Sequence, residues 1–93
     1  ISKAAVVMLT KVLAKEMAES NIQVNTLAPG LIKTDFSKAL WEDEKVYNEI
    51  IKAIPQARMG EPDDISGMAL YLASGASDFI TGSMFVVDGG LTT

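Results

Sequence analysis

The sequence predicts an α/β fold built on a parallel sheet, of which this chain supplies only part. Three observations carry that expectation. Segments of helical and strand-like periodicity follow one another as helix, strand, helices, strand. Both strand-like segments stop at glycine turns, Pro29-Gly30 and Gly89-Gly90. The long helical stretch between them is what a crossover between parallel neighbours needs, with a right-handed connection expected. Two strands do not make an independently stable parallel sheet, and such sheets are covered by helices on both faces. Most of the sheet is therefore expected outside these 93 residues.

The first helix is expected over residues 3–20. Ala5, Leu9, Leu13 and Met17 recur at i, i+4, and Val6, Val7, Met8, Val12 and Ala14 widen the apolar surface until only Lys11, Lys15 and Glu19 keep a wet stripe. Such a helix is expected to be covered on two sides, and Ser20-Asn21 closes it. The helical pattern is already present at Ile1, with neither an initiator methionine nor a capping residue ahead of it. The chain therefore reads as a piece of something longer. "NIQVNTLA" alternates Ile22, Val24 and Thr26, which predicts a short strand ending at Pro29-Gly30. Residues 37–54 predict one or two helices, with Glu42-Asp43-Glu44 as a solvated helix start and Asp35 as a candidate cap. Pro55 breaks them and "QARMG" is a loop. A helix then begins with Pro62 in first position and Asp63 and Asp64 in the first turn, with Ile65, Met68, Ala69 and Leu72 facing inward. "SMFVVDGG" is the second strand, with Phe85, Val86 and Val87 expected to be buried.

Composition narrows the function. Hydrophobic residues make up 48% of the chain and mean hydropathy is +0.23, which requires burial rather than disorder. The net charge is −4 and the basic residues are scattered, which argues against nucleic acid as a partner. With no cysteine and no histidine, disulfides and thiolate or imidazole metal sites are excluded. No segment approaches the roughly 18 consecutive apolar residues of a membrane span, and no signal-peptide pattern leads the chain. A soluble, cytoplasmic protein is the expectation.

In open α/β sheets, ligands sit beyond the C-terminal ends of the strands, where Pro29, Gly30, Ile32 and Thr34 fall. A glycine there permits close backbone approach, and the Thr34 hydroxyl and nearby amides are suited to a polar ligand. Taken locally, Pro-Gly is equally ordinary turn punctuation, and both readings stay open on these residues alone. The acidic residues Glu61, Asp63 and Asp64 suit helix capping, and Asp88-Gly89-Gly90 suits a strand-ending turn better than phosphate binding.

Four blocks in order and spacing carry a resemblance: Ser2-Lys3-Ala4, Asn25 to Thr34, Gly60-Glu61-Pro62-Asp63, and Ile80-Thr81-Gly82 with Asp88-Gly89-Gly90. Over essentially its whole length the chain resembles the C-terminal part of a short-chain dehydrogenase/reductase. The wording around "APGLIKTDFSKALW" is similar to carbonyl reductases, and 3-oxoacyl reductases and sugar or alcohol dehydrogenases share the pattern. The resemblance implies a Rossmann-type doubly wound parallel sheet, incomplete here, with residues 1–93 forming the C-terminal portion of one NAD(P)-binding domain. It implies that Lys3 matches the lysine of the family's Tyr-x-x-x-Lys motif, which binds the nicotinamide ribose and lowers the tyrosine pKa. It also implies that Pro29 and Gly30 flank the nicotinamide, that the Ile32 backbone reaches the carboxamide, and that the Thr34 hydroxyl contacts the carboxamide or diphosphate. Leu40, Trp41 and Tyr47 correspond to the variable substrate lid, although an amphipathic helix pair using Trp41 for packing explains them as well.

The departure from the family is equally plain. The tyrosine would fall four residues before Lys3, and the serine, the active-site asparagine and the glycine-rich loop further upstream still, so the chain alone is expected to be inactive. The residues that separate NAD from NADP are absent with them. Two readings follow from the sequence. One is an oxidoreductase moving hydride between nicotinamide and a carbonyl or alcohol substrate. The other is a non-catalytic segment that associates with copies of itself or with a partner half. In the family, the helix over 3–20 and the last strand commonly form subunit interfaces, which implies a homo-oligomer, dimer or tetramer.

Overall fold

The computed structural model describes residues 2–93. Helix α1 spans Lys3–Met17, followed by a 3₁₀ turn at Ala18–Ser20 and strand β1 at Thr26–Pro29. Helices α2 (Lys38–Trp41), α3 (Glu44–Ile51) and α4 (Pro62–Ala73) come next, then a 3₁₀ turn at Gly75–Ser77 and strand β2 at Met84–Val87. The strands are neighbours in a two-stranded sheet. Thr26 N–H donates to Ser83 C=O at 2.9 Å and Gly30 N–H to Val87 C=O at 2.9 Å, so both chains advance together and the pair is parallel. The chain divides into two compact units, Ile1–Ala28 with Met68–Phe85 and Pro29–Gly67 with Val86–Thr93.

In the first unit, α1 starts at Lys3, where the helix was expected to begin, and Ile1 lies outside the described residues. Contrary to expectation it is capped: the Ser2 hydroxyl accepts from Ala5 N–H at 3.3 Å. The helix ends three residues earlier than expected, in the 3₁₀ turn, and Asn21 in the left-handed region (φ 57°) closes it. Its inward face is Val6, Val7, Thr10, Leu13 and Ala14, with Thr10 and Ala14 fully buried and Thr10 hydrogen-bonded to Thr26. The stripe read from i, i+4 spacing lies mostly outside this face. Met8 is 61% exposed and Leu9 54%, and Val12 and Met17 are also open, so one side of the helix is covered and not two.

The strand is also shorter than its alternation suggested. Over residues 22–25 the regular ladder is reduced to one backbone bond, Gly82 N–H to Val24 C=O at 2.8 Å, and side chains supply the rest. Thr81 Oγ1 accepts from Val24 N–H, Asn25 Oδ1 accepts from Ser83 N–H, and the Asn25 and Gln23 amides both donate to Ile80 C=O. Asn and Gln side chains mimic peptide groups, so they satisfy the backbone without extending the strand. Ser77 is 1% exposed, and its hydroxyl donates to carbonyls of the α4 C-terminal region. Ala69 and Val86, expected inside, are exposed. Ile65, Met68 and Leu72 are half-buried, as are Phe85 and Val87.

In the second unit, the exit of β1 depends on glycine. A Cβ on Gly30 would lie 2.6 Å from Asp88 Cβ and 2.7 Å from Asp88 Cα, inside any tolerable contact. Beyond it, Gly60 pairs in parallel with Ile32: Gly60 N–H donates to Leu31 C=O and Lys33 N–H to Gly60 C=O, both at 2.8 Å. The "QARMG" loop is thereby tied to the β1 exit and carries the unit's most buried side chain, Met59, 1% exposed, with Ile54 at 4%. The helical stretch over 37–54 is two helices. Asp43 caps α3, its carboxylate accepting from Lys45 and Val46 N–H groups, which makes Glu42-Asp43-Glu44 a helix start as expected. Asp35 is not a cap: the residue before α2 is Ser37.

At α4, the Asp64 carboxylate reaches back to Glu61 N–H at 2.6 Å and takes the Arg58 guanidinium through two bonds, 2.9 and 3.2 Å. The Arg58 hydrogen bonds, then the Glu61 amide, hold the Asp64 pKa down to about 2 from 3.8. A depressed carboxylate pKa stabilises the folded state above the unfolded pKa, and that stabilisation is lost as pH falls through the folded value. Thermal melts of Asp64→Asn and wild type should therefore differ at neutral pH, converge between pH 3.8 and about 2, and coincide below it. Gly30→Ala should cost about 1–3 kcal/mol in chemical denaturation, as overpacking against fixed backbone does.

Candidate functional site

β1 donates toward β2 at Thr26 and Gly30, positions of one parity, so Pro29 faces the opposite edge, where its missing N–H breaks no bond to β2. The chain beyond Gly30 then runs Leu31, Ile32, Lys33, Thr34 along the C-terminal end of the strand, the ground where open α/β sheets hold ligands.

Ile32 contributes through its backbone. Its side chain lies over Gly60, where a Cβ would meet Ile32 Cδ1 at 2.5 Å, and the Gly60 pairing uses the flanking Leu31 C=O and Lys33 N–H. The Ile32 N–H consequently points away from that pairing and has no hydrogen-bond partner among the described residues. The Thr34 side chain is exposed, and its Oγ1 accepts from Ser37 N–H at 3.2 Å. An unpaired amide and an exposed, anchored hydroxyl two residues apart form a donor pair suited to the oxygens of a carboxamide or a diphosphate. The residues present fit the nicotinamide end of a dinucleotide in this respect.

The lid candidates belong to the same unit. Trp41 is half-buried at the end of α2, and its indole N–H donates to Thr34 C=O at 3.1 Å. Its polar edge is thus spent on the turn that carries Thr34, a role the sequence did not suggest. Leu40 is half-buried on the same helix. The Tyr47 ring, on α3, lies under Lys33 Nζ at 5.0 Å from the ring centroid, and Lys33 also faces Glu61 at 3.8 Å. Pro29, Gly30, Ile32, Thr34, Leu40, Trp41 and Tyr47 are all part of the Pro29–Gly67 segment. Lys3 belongs to the other unit, as the first residue of α1, exposed, with no ion pair or hydrogen bond from its ammonium group among the described residues.

A small cleft of about 90 Å³ lies on the Gly60 side, lined by Leu31, Ile32, Arg58, Gly60, Asp64 and Asp88 among others. It is far smaller than the roughly 300 Å³ at which ligand pockets begin. The Asp88 carboxylate closes the C-terminal turn, accepting from Gly90 N–H, Thr92 N–H and the Thr92 hydroxyl, which supports the turn reading of Asp88-Gly89-Gly90. Among the described residues, no group of three or more metal-ligating side chains converges, and no helix is long and apolar enough to cross a membrane.

Comparison with known proteins places the fold. Residues 1–92 match the family described as enoyl-(acyl carrier protein) reductase. The dehydrogenase/reductase SDR family member 4 of Oryctolagus cuniculus is 51% identical over 90 residues, covering 97% of this chain and 35% of the relative. Gluconate 5-dehydrogenase from Burkholderia cenocepacia J2315, solved in complex with NADP and tartrate, is 44% identical with a TM-score of 0.85, covering 97% of this chain and 35% of that one. A 4-hydroxyisoleucine dehydrogenase complexed with NADH superposes with a TM-score of 0.90 at 38% identity, covering 97% of this chain and 37% of that one. The chain thus spans about a third of the length of the relatives it matches. The α/β order with a parallel sheet is shared with these structures, and the chain belongs to the short-chain dehydrogenase/reductase family.

Proposed function

We propose that this chain is the C-terminal portion of a single Rossmann-type domain in an NAD(P)-dependent oxidoreductase acting on a small carbonyl or alcohol substrate. The observation that carries the reading is the donor pair at Ile32 and Thr34, preformed beyond the C-terminal end of β1. Relatives solved with NADP and with NADH support the cofactor class, and the name of the gluconate enzyme supports small hydroxylated or carbonyl substrates. The cofactor would supply a hydride to a carbonyl carbon or accept one from an alcohol carbon.

On this reading, Ile32 N–H and the Thr34 hydroxyl orient the carboxamide end of the cofactor, and Pro29-Gly30 forms the wall beside it. Lys3 presents an ammonium group that suits the ribose hydroxyls and the tyrosine expected upstream, where a positive charge favours the phenolate. Leu40, Trp41 and Tyr47 form the apolar side of the substrate space, with Trp41 anchoring that lid to the cofactor turn. The general acid that protonates the carbonyl oxygen is not among these residues. The 93-residue chain alone is therefore proposed to be inactive. A cytoplasmic location belongs to the same proposal.

Self-association is the second part of the reading. Met8, Leu9 and Val12 form an exposed apolar strip on one face of α1, and Val86 is exposed on β2. Exposed patches of this kind suit isologous contact between copies.

Three measurements test the reading. NADH or NADPH oxidation with carbonyl substrates should be undetectable for the 93-residue chain, and measurable turnover by it would overturn the division of labour proposed here. In the longer protein, Lys3→Met should lower kcat/KM by about 10²–10⁴-fold, the range for impaired acid–base catalysis. Leu9→Asp should shift the mass measured by light scattering toward the monomer, and an unchanged mass would rule out the α1 contact.

A further inference from the structure

We propose that Ser37 is a positioning residue that sets the direction of the two donors offered by Ile32 and Thr34. This rests on the cofactor reading above. Ser37 Oγ lies 2.6 Å from Ile32 C=O, 3.0 Å from Thr34 N–H, and 3.3 Å from both Thr34 Oγ1 and Thr34 C=O. A serine hydroxyl has one proton to give. Thr34 C=O already receives the Trp41 indole N–H at 3.1 Å and shares the Ser37 N–H, at 3.2 Å, with Thr34 Oγ1, whereas Ile32 C=O offers the far shorter contact. The Ser37 proton therefore goes to Ile32 C=O along the shortest contact, and Ser37 Oγ accepts Thr34 N–H.

Two consequences follow for the turn. Thr34 Oγ1 accepts from Ser37 N–H at 3.2 Å, and its acceptor among the described residues is Ser37 Oγ at 3.3 Å, long for a bond between hydroxyls. An acceptor oxygen placed outside the turn at normal distance would draw the Thr34 proton away from this long contact, so Thr34 can act as a donor. With its C=O held by Ser37, the Ile32 residue faces outward with its N–H, the second donor. The turn is thus polarised to receive acceptor oxygens. Ser37 touches no substrate or cofactor in this scheme and acts only through its neighbours.

The test compares Ser37→Ala with Ser37→Thr in the longer protein, titrating NADH, NADPH and ADP-ribose, which lacks the nicotinamide. Ser37→Ala should weaken whichever dinucleotide the wild type binds by about 5–10-fold, the worth of one oriented hydrogen bond. ADP-ribose affinity should be unchanged, and Ser37→Thr should restore dinucleotide binding. Amide hydrogen exchange should show the Thr34 N–H protected in wild type and Ser37→Thr and deprotected in Ser37→Ala. Equal dinucleotide affinity in wild type and Ser37→Ala would overturn the proposal, as would equal weakening of dinucleotide and ADP-ribose, which marks general loosening. A wild-type protein that binds neither NADH nor NADPH would overturn the cofactor reading and this inference with it, whereas a loss confined to Ser37→Ala supports both.

Discussion

The hydrogen bond from Gly30 N–H to Val87 C=O is the constraint on which the candidate site depends. It continues the parallel ladder one residue past Pro29, where the chain would otherwise be free to leave the sheet. A bond at this position brings the β1 exit so near Asp88 that no side chain fits, and glycine is the residue that permits it. Everything downstream inherits the direction set there. Ile32 can pair with Gly60, Thr34 can meet Ser37, and Trp41 can reach back to Thr34 C=O only because the chain leaves the strand along one path.

Side-chain polar contacts carry much of the remaining organisation, because the buried apolar core is small. Among the described residues, Ala14, Ile54 and Met59 are the fully buried hydrophobic ones. Side chains that imitate backbone take up the work: Asn25 and Gln23 beside β1, Ser77 below α4, Asp64 at the α4 start, Asp88 at the last turn. Each satisfies peptide groups that a regular element leaves open, which is the condition for placing them away from water. The exposed strip Met8, Leu9 and Val12 is the counterpart of that small core. A 93-residue chain with 48% hydrophobic residues cannot bury all of them internally.

The links from Thr34 to Ser37 and Trp41 join the proposed cofactor wall and the proposed substrate lid in one hydrogen-bonded unit. In the proposed enzyme, a change in the lid would therefore be felt at the turn that holds the nicotinamide. Binding sites on loops gain accuracy when their residues are held by such supporting contacts, and here the support comes from within ten residues of chain.

The sequence by itself determined the order of elements, the start of α4 at Pro62, the helix start at Glu42-Asp43-Glu44 and the place of the strand-end turn. Those features rest on local rules, because periodicity, proline geometry and carboxylate capping act over a few residues. The spacing of its four motif blocks also carried the family. Other features needed the tertiary structure. Which side of α1 is covered was illegible because Leu9 and Val6 are equally apolar, and only packing separates them. The shortened β1 escaped because Ile22-Val24-Thr26 alternates correctly while Asn25 and Thr81, far apart in sequence, take over its hydrogen bonds. Met59 reads as loop, and its burial follows from the Ile32–Gly60 pairing. Ser37 stood in view, three residues after Thr34. Its role depends on where one proton goes, and that is decided by lone pairs on Ile32 and Thr34 that only the folded chain brings together.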